Sequence, residues 1–178
     1  MATNTYTDET IRQAVEQGCL TEEYKADAEY LIEELNRLRA TEITSFLQYK
    51  QHAFMAVSLL APGMKADFEA HAAAEMQHAD MLAQRIQQLG GVPIYRPTEI
   101  ASTAAQIGVH PEQGPTLLDM VAENLLLERQ QIAAYSALVR EVGDKDPTTR
   151  RILETILAES EGHASELADY LKRTSDTR

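Results

Sequence analysis

Glu75-Met76-Gln77-His78 and Glu159-Ser160-Glu161-Gly162-His163 are the two stretches that decide how this chain folds. Residues three or four apart share one face of a helix. Each stretch therefore aims a carboxylate and an imidazole in the same direction. Both lie in runs whose apolar residues recur at helical spacing. Two more glutamates, Glu42 and Glu128, sit mid-way along other segments of that kind. A carboxylate from each of two helices, plus a Glu-x-x-His from each of two others, is how an all-α four-helix bundle holds a pair of metal ions. The chain supplies that set with one departure. Ser160 stands three residues before His163, where a second Glu-x-x-His needs its glutamate.

Working outward, the segments around these residues read as helices with recognisable ends. Thr7-Asp8-Glu9 followed by Ile11, Ala14 and Val15 predicts a short capped helix that ends at Gly18. Thr21-Glu22-Glu23 opens a long periodic run to about Leu60, with Leu31, Leu35, Leu38, Ile43, Phe46, Leu47 and Ala53 on its apolar stripe. Ala61-Pro62-Gly63 breaks it. A second long helix is expected from about Met64 to Leu89, stopped by Gly90-Gly91 and Pro93. Residues 92 to about 115 hold no sustained period and read as a crossover, with a short helix near Thr98 to Gln106. A third helix is expected from about Thr116 to Val142. The fourth starts with Asp146 as N-cap and Pro147 at its first position and runs to about Lys172. The joints within each half are short, so each half is expected to be an antiparallel hairpin. The long middle connection lets the second and third helices run parallel, which is the one-crossover bundle. The resulting division is an N-terminal extension (1–22) with its short helix, a bundle (23–174) and a short tail (175–178).

Composition supports this and excludes other classes. The 178 residues are rich in helix formers, contain no Trp and carry one cysteine, Cys19. That cysteine cannot form an internal disulfide or a Cys-based metal site, and a reducing cytoplasm fits. The net charge of −12 argues against nucleic acid and anionic membrane as partners. The N-terminus shows no basic and apolar pattern of a signal peptide, and no segment approaches the length of a membrane span.

A single glutamate on a helix is ordinarily a solvated surface residue. Four helices that each offer one at mid-length, with histidines at matching offsets, point to a buried site. A buried carboxylate is costly unless paired or bound to metal. Hard carboxylate oxygens with imidazole suit iron or manganese. Tyr49 and Tyr135 follow Glu42 and Glu128 by seven residues and share their faces. They either bond to the carboxylates, supply an electron during oxidation, or are simply buried. His71, four residues before Glu75, is either an accessory ligand or a hydrogen-bonded bundle histidine. His52 is expected outside the site, and His110 in a loop.

These residues resemble the ferritin-like superfamily, and within it bacterioferritin and the related Dps-like ferritins. The resemblance spans about Leu31 to Leu171. Leu35-Asn36 through Glu42 to Gln48-Tyr49 looks like the first bundle helix of bacterioferritin. Glu75-Met76-Gln77-His78-Ala79-Asp80 looks like its second-helix motif, with Leu89-Gly90-Gly91-Val92-Pro93 like that helix's terminus. Glu128 through Ile132 and Tyr135 looks like its third helix. Asp144 through Leu153, with Ile156-Leu157-Ala158, resembles the Dps-like branch. The resemblance implies a di-iron centre with Glu42 and His78 as terminal ligands of one iron, Glu128 and His163 of the other, and Glu75 bridging. It also implies oxidation of ferrous iron by O2 or H2O2, a homo-oligomeric cage, and haem at Met76, the position of an axial methionine at a two-fold contact. The plain reading of Met76 is a core or interface methionine.

The family's second bridging glutamate falls on Ser160. Glu159 lies about 40° around the helix from His163 and Glu161 about 160°, so Glu159 is the candidate replacement. The alternatives are a mononuclear or defective site, or none. They correspond to a non-catalytic scaffold or metal buffer. A di-manganese catalase or rubrerythrin-like peroxidase is a further alternative. The chain lacks the Cys-x-x-Cys pairs of a complete rubrerythrin.

Overall fold

Local chemistry sets most helix ends. A computed structural model describes residues 7–56, 62–109 and 114–175. Among the described residues there are six helices and no strand: α1 (Asp8–Gln17), α2 (Ala28–Met55), α3 (Pro62–Gln88), α4 (Pro97–Gln106), α5 (Leu117–Val142) and α6 (Pro147–Ser175). Thr7 caps α1 and Thr116 caps α5, each in a reciprocal capping box. Asp146 caps α6: its Oδ1 accepts from the Thr149 backbone N–H at 2.9 Å. At the end of α3, Gly90 takes φ +86°, a conformation that favours glycine. Gly91 follows because a Cβ there would come within 2.6 Å of Ile32 Cγ2.

The first bundle helix starts later than the run from Thr21 predicts. Asp27, in extended conformation, accepts from the Tyr30 N–H at 3.0 Å and is the true N-cap. Thr21 lies in a turned segment from which Tyr24 reaches across to donate to Asp146 at 2.8 Å. That long-range bond draws the segment away from the helix axis, and no local signal announces it. The expected end of this helix near Leu60, and His110, fall outside the described residues.

Two apolar clusters show how the helices run. One joins Leu31, Leu35 and Leu38 at the start of α2 to Leu82 and Ile86 at the end of α3, Leu138 and Val142 at the end of α5, and Leu153 and Ile156 at the start of α6. The other joins Tyr49 and Ala53 late in α2 to Phe68 and Ala72 early in α3, Met120 and Val121 early in α5, and Leu167 late in α6. The pairs α2/α3 and α5/α6 are therefore antiparallel, and α3 runs parallel to α5. This is the all-helical one-crossover bundle. The short α4 of the crossover lies along its side, where Ala104 and Val109 meet Ala40 and Leu127. Each bundle helix is about 40 Å long at 1.5 Å per residue. No described helix is long and apolar enough to cross a membrane. Between the two apolar clusters the bundle core turns polar, and that layer holds the candidate site.

Candidate metal centre

The helical period places Glu42, Ser45, Tyr49 and His52 on one face of α2, and all four are buried. The same logic turns Glu75 and His78 of α3, Glu128, Gln131 and Tyr135 of α5, and His163 of α6 toward the bundle axis. Glu42, Glu75 and Glu128 are completely buried. Five of the residues expected at the site thus meet. Nδ1 of His78 lies 3.2 Å from Oε2 of Glu42. Nδ1 of His163 lies 3.2 Å from Oε1 of Glu128 and 3.6 Å from Oε1 of Glu75. The Tyr135 hydroxyl donates to Oε1 of Glu42 at 2.7 Å, and the Tyr49 hydroxyl to Oε1 of Glu128 at 2.6 Å.

Sequence reasoning missed Gln131. Its amide donates to Oε1 of Glu42 at 2.9 Å and to Oε2 of Glu75 at 3.2 Å, tying the two carboxylates together. The signal was its offset of three from Glu128 and four from Tyr135, which puts it on their shared face.

Crowding three carboxylates into a dry layer changes their acidity. Burial, then the Glu75 charge and the bond to Glu75, push Glu42 well above the ordinary carboxyl range. Burial also acts to raise Glu75. The close approach of His163 and Glu42, the His78 charge and the Gln131 amide outweigh it, and Glu75 sits below its ordinary value. Burial and the Glu75 charge push Glu128 up to about 7, against the opposing bonds from His163 and Tyr49. Burial disfavours the His163 cation, but its bonds to Glu128 and Glu75 overcome this and raise it to about 10. Burial and the surrounding carboxylates raise both tyrosines well above the usual phenol value, which keeps them neutral donors.

Some polar atoms in this layer have no hydrogen-bond partner: Oε1 of Glu75, Oε2 of Glu128, Nδ1 of His71, Oγ of Ser160 and Oε1 of Gln131. Such buried atoms cost free energy unless something meets them. Two sets of donors are arranged closely enough to share an ion. Glu42, Glu75 and His78 form one, and His71, Glu128 and His163 the other, with ligand atoms within 4.8 Å of one another in each. Three carboxylates and three imidazoles make an oxygen and nitrogen set that fits iron or manganese.

The remaining expected residues lie at the margins. Glu159 meets Nε2 of His78 at 2.9 Å, with its side chain half in solvent. Glu161 is exposed and Ser160 is buried. Met76 is half-buried on α3, one residue past Glu75 and so turned about 100° from it. His52 is fully buried but bonds Asn124 Oδ1 at 3.1 Å, in a network with Gln48.

The ferritin-like domain family matches residues 32–177. The chain belongs to the ferritin-like family. It is similar to the nutrient stress-induced DNA-binding protein of Synechococcus, at 29% identity over 79% of this chain and 80% of that protein. It is similar to the bacterioferritin of Desulfovibrio desulfuricans, at 26% identity over 83% and 79% of the two chains. Among solved structures it resembles a dodecameric thioferritin, the bacterioferritin-related protein from Bacteroides fragilis. There the identity is 30%, the TM-score 0.80, and the coverage 86% of this chain and 90% of that one. The ferritin-like bundle thus carries a cluster of buried carboxylates and histidines in the layer between its two apolar clusters.

Proposed function

We propose that this chain binds ferrous iron at a dinuclear centre inside its bundle and oxidises it with O2 or H2O2, for storage or detoxification. The observation that carries the reading is the meeting of Glu42, Glu75 and Glu128, all fully buried, with His78 and His163, while one oxygen each of Glu75 and Glu128 lacks a hydrogen bond. Three carboxylates buried together with two histidines are costly despite the hydrogen bonds from Tyr49, Gln131 and Tyr135, and a divalent cation relieves that cost. Glu42 and His78 hold one ion, Glu128 and His163 the other, and Glu75 lies between them.

Two adjacent ferrous ions supply the two electrons that O2 or H2O2 takes up. The residues of this chain do the rest. Tyr135 and Gln131 orient Glu42, Tyr49 orients Glu128, and Gln131 keeps Glu42 and Glu75 in register. The apolar clusters on either side restrict water. Glu42, Glu128 and His163 hold protons more tightly than usual, so these groups release protons as the cation enters.

A homo-oligomeric, cytoplasmic cage accompanies this reading, in line with the dodecamer described for the Bacteroides relative. Two relatives are named for DNA binding or protection. The net charge of −12 here argues against that role. Ser160 favours a second reading, a scaffold or metal buffer with an incomplete centre, because its buried hydroxyl brings no charge to the site. Titrating metal-free protein with ferrous iron in air, while following ferric-oxo absorbance, separates the two. The oxidase gives a sharp break near about two irons per chain that Glu75→Ala abolishes. A slow rise without a break supports the scaffold.

A further inference from the structure

Ser160 leaves the half of the centre around Glu128 and His163 short of a ligand, and the structure brings His71 to that half. His71 of α3 is 5% exposed, and its ring stacks on that of His163 with centroids 4.0 Å apart and planes 20° from parallel. One nitrogen of His71, one of His163 and one oxygen of Glu128 lie within 4.8 Å of each other. The geometry points to a second metal position built by His71, Glu128 and His163, in which His71 supplies the ligand that Ser160 lacks. This rests on the dinuclear reading above and specifies one of its two positions.

Three observations carry it. First, the two nitrogens of His71 have different company. Nε2 lies 3.2 Å from Oε2 of Glu166, whereas Nδ1 is buried without a partner. A carboxylate accepts from N–H, so the proton belongs on Nε2 and the lone pair on Nδ1. That is the state in which an imidazole binds metal, with its other nitrogen held by a carboxylate.

Second, Nε2 of His78 in the first position is likewise backed by a carboxylate of α6. Its Nδ1 faces Glu42, and its Nε2 meets Glu159 at 2.9 Å. Glu159 and Glu166 are seven residues apart, two turns along one face of α6. Each therefore backs one histidine of α3, and His71 and His78 are themselves seven apart. Glu159 is thereby cast as the orienting partner of His78 rather than as the replacement for Ser160.

Third, Oε2 of Glu128 is also buried without a partner. The half-site thus holds two buried acceptor atoms without a hydrogen bond.

The consequence is an asymmetric pair. The first position offers two carboxylates and one imidazole, the second one carboxylate and two imidazoles, with Glu75 able to contribute to both. A neutral nitrogen in place of an anionic oxygen compensates less positive charge. The second position therefore holds a divalent ion in preference to a trivalent one, and follows the Irving–Williams order more steeply toward nitrogen-seeking metals.

The test uses the intact protein and Co2+ under anaerobic conditions, with binding read by calorimetry and by the visible absorbance of the bound ion. Wild type is expected to take up about two equivalents per chain. His71→Phe keeps a ring that can stack on His163 but has no nitrogen. It is expected to keep the first equivalent and to weaken the second by at least about tenfold, with unaltered helix content. His71→Gly is expected to recover the second equivalent when free imidazole is added. Two unweakened equivalents in His71→Phe overturn this proposal and leave the dinuclear reading standing. Wild type that takes up no Co2+ overturns both.

Discussion

Tyr135 on α5 donates its hydroxyl to Oε1 of Glu42 on α2 across 2.7 Å, with both residues fully buried. The bond supports the ionised form of a carboxyl that burial drives toward neutrality. Hydrogen bonds to charged groups contribute about 1.5–3 kcal/mol. Tyr135→Phe removes the bond with little change in volume. The expected outcome is a folded protein whose first equivalent of ferrous iron binds about tenfold to a hundredfold more weakly, measured by anaerobic calorimetry. Unchanged affinity would show that Gln131 alone suffices to hold Glu42.

The acidities of the centre predict an unusual pH profile for the metal-free protein. Glu42, Glu128 and His163 all bind protons more tightly when folded than their ordinary values of 4.5, 4.5 and 6.5. Each adds stability below its ordinary value that disappears as pH rises through its folded value, about 7 for Glu128 and about 10 for His163. Glu75 and Asp146 are depressed, so their contribution is lost only on acidification. The Tm of metal-free protein is therefore expected to fall between about pH 5 and about pH 9. Metal displaces the same protons, so the rise in Tm on loading should grow over that range. Thermal melts by circular dichroism, with and without metal, check both. A metal-free Tm that climbs from about pH 5 to about pH 8 contradicts the assignment.

A second buried polar cluster is structural. Nη2 of Arg85, near the end of α3, meets Oδ2 of Asp146 at 2.8 Å, and both side chains are almost fully buried. Asp146 also accepts from Tyr24, from the Thr149 hydroxyl and from the Thr149 backbone while capping α6. Breaking a buried pair strands its partner and costs about 3–5 kcal/mol. Asp146→Ala should therefore lower Tm by about 6–20 °C for a chain of this length. Tyr24→Phe should lower it far less. A fall of under about 3 °C for Asp146→Ala would mean that Arg85 finds water or another acceptor.

The amino-acid sequence by itself determined the helices, the bundle and most of the side chains that meet in its polar layer. Caps such as Thr7, Thr116 and Asp146, and the stop at Gly90, act locally and can be read from neighbouring residues. The 3.6-residue period likewise puts Glu42 with Tyr49, and Glu128 with Gln131 and Tyr135, on single faces. What spacing along one helix cannot supply is the rotation and register of that helix against its neighbours. Packing of the two apolar clusters sets those, and they decide that His71 stacks on His163, that Glu159 backs His78, and that Gln131 spans Glu42 and Glu75. The start of α2 at Asp27 was hidden for the same reason. Tyr24 is held by Asp146, a residue 122 positions away, and a bond of that kind exists only once the bundle has closed.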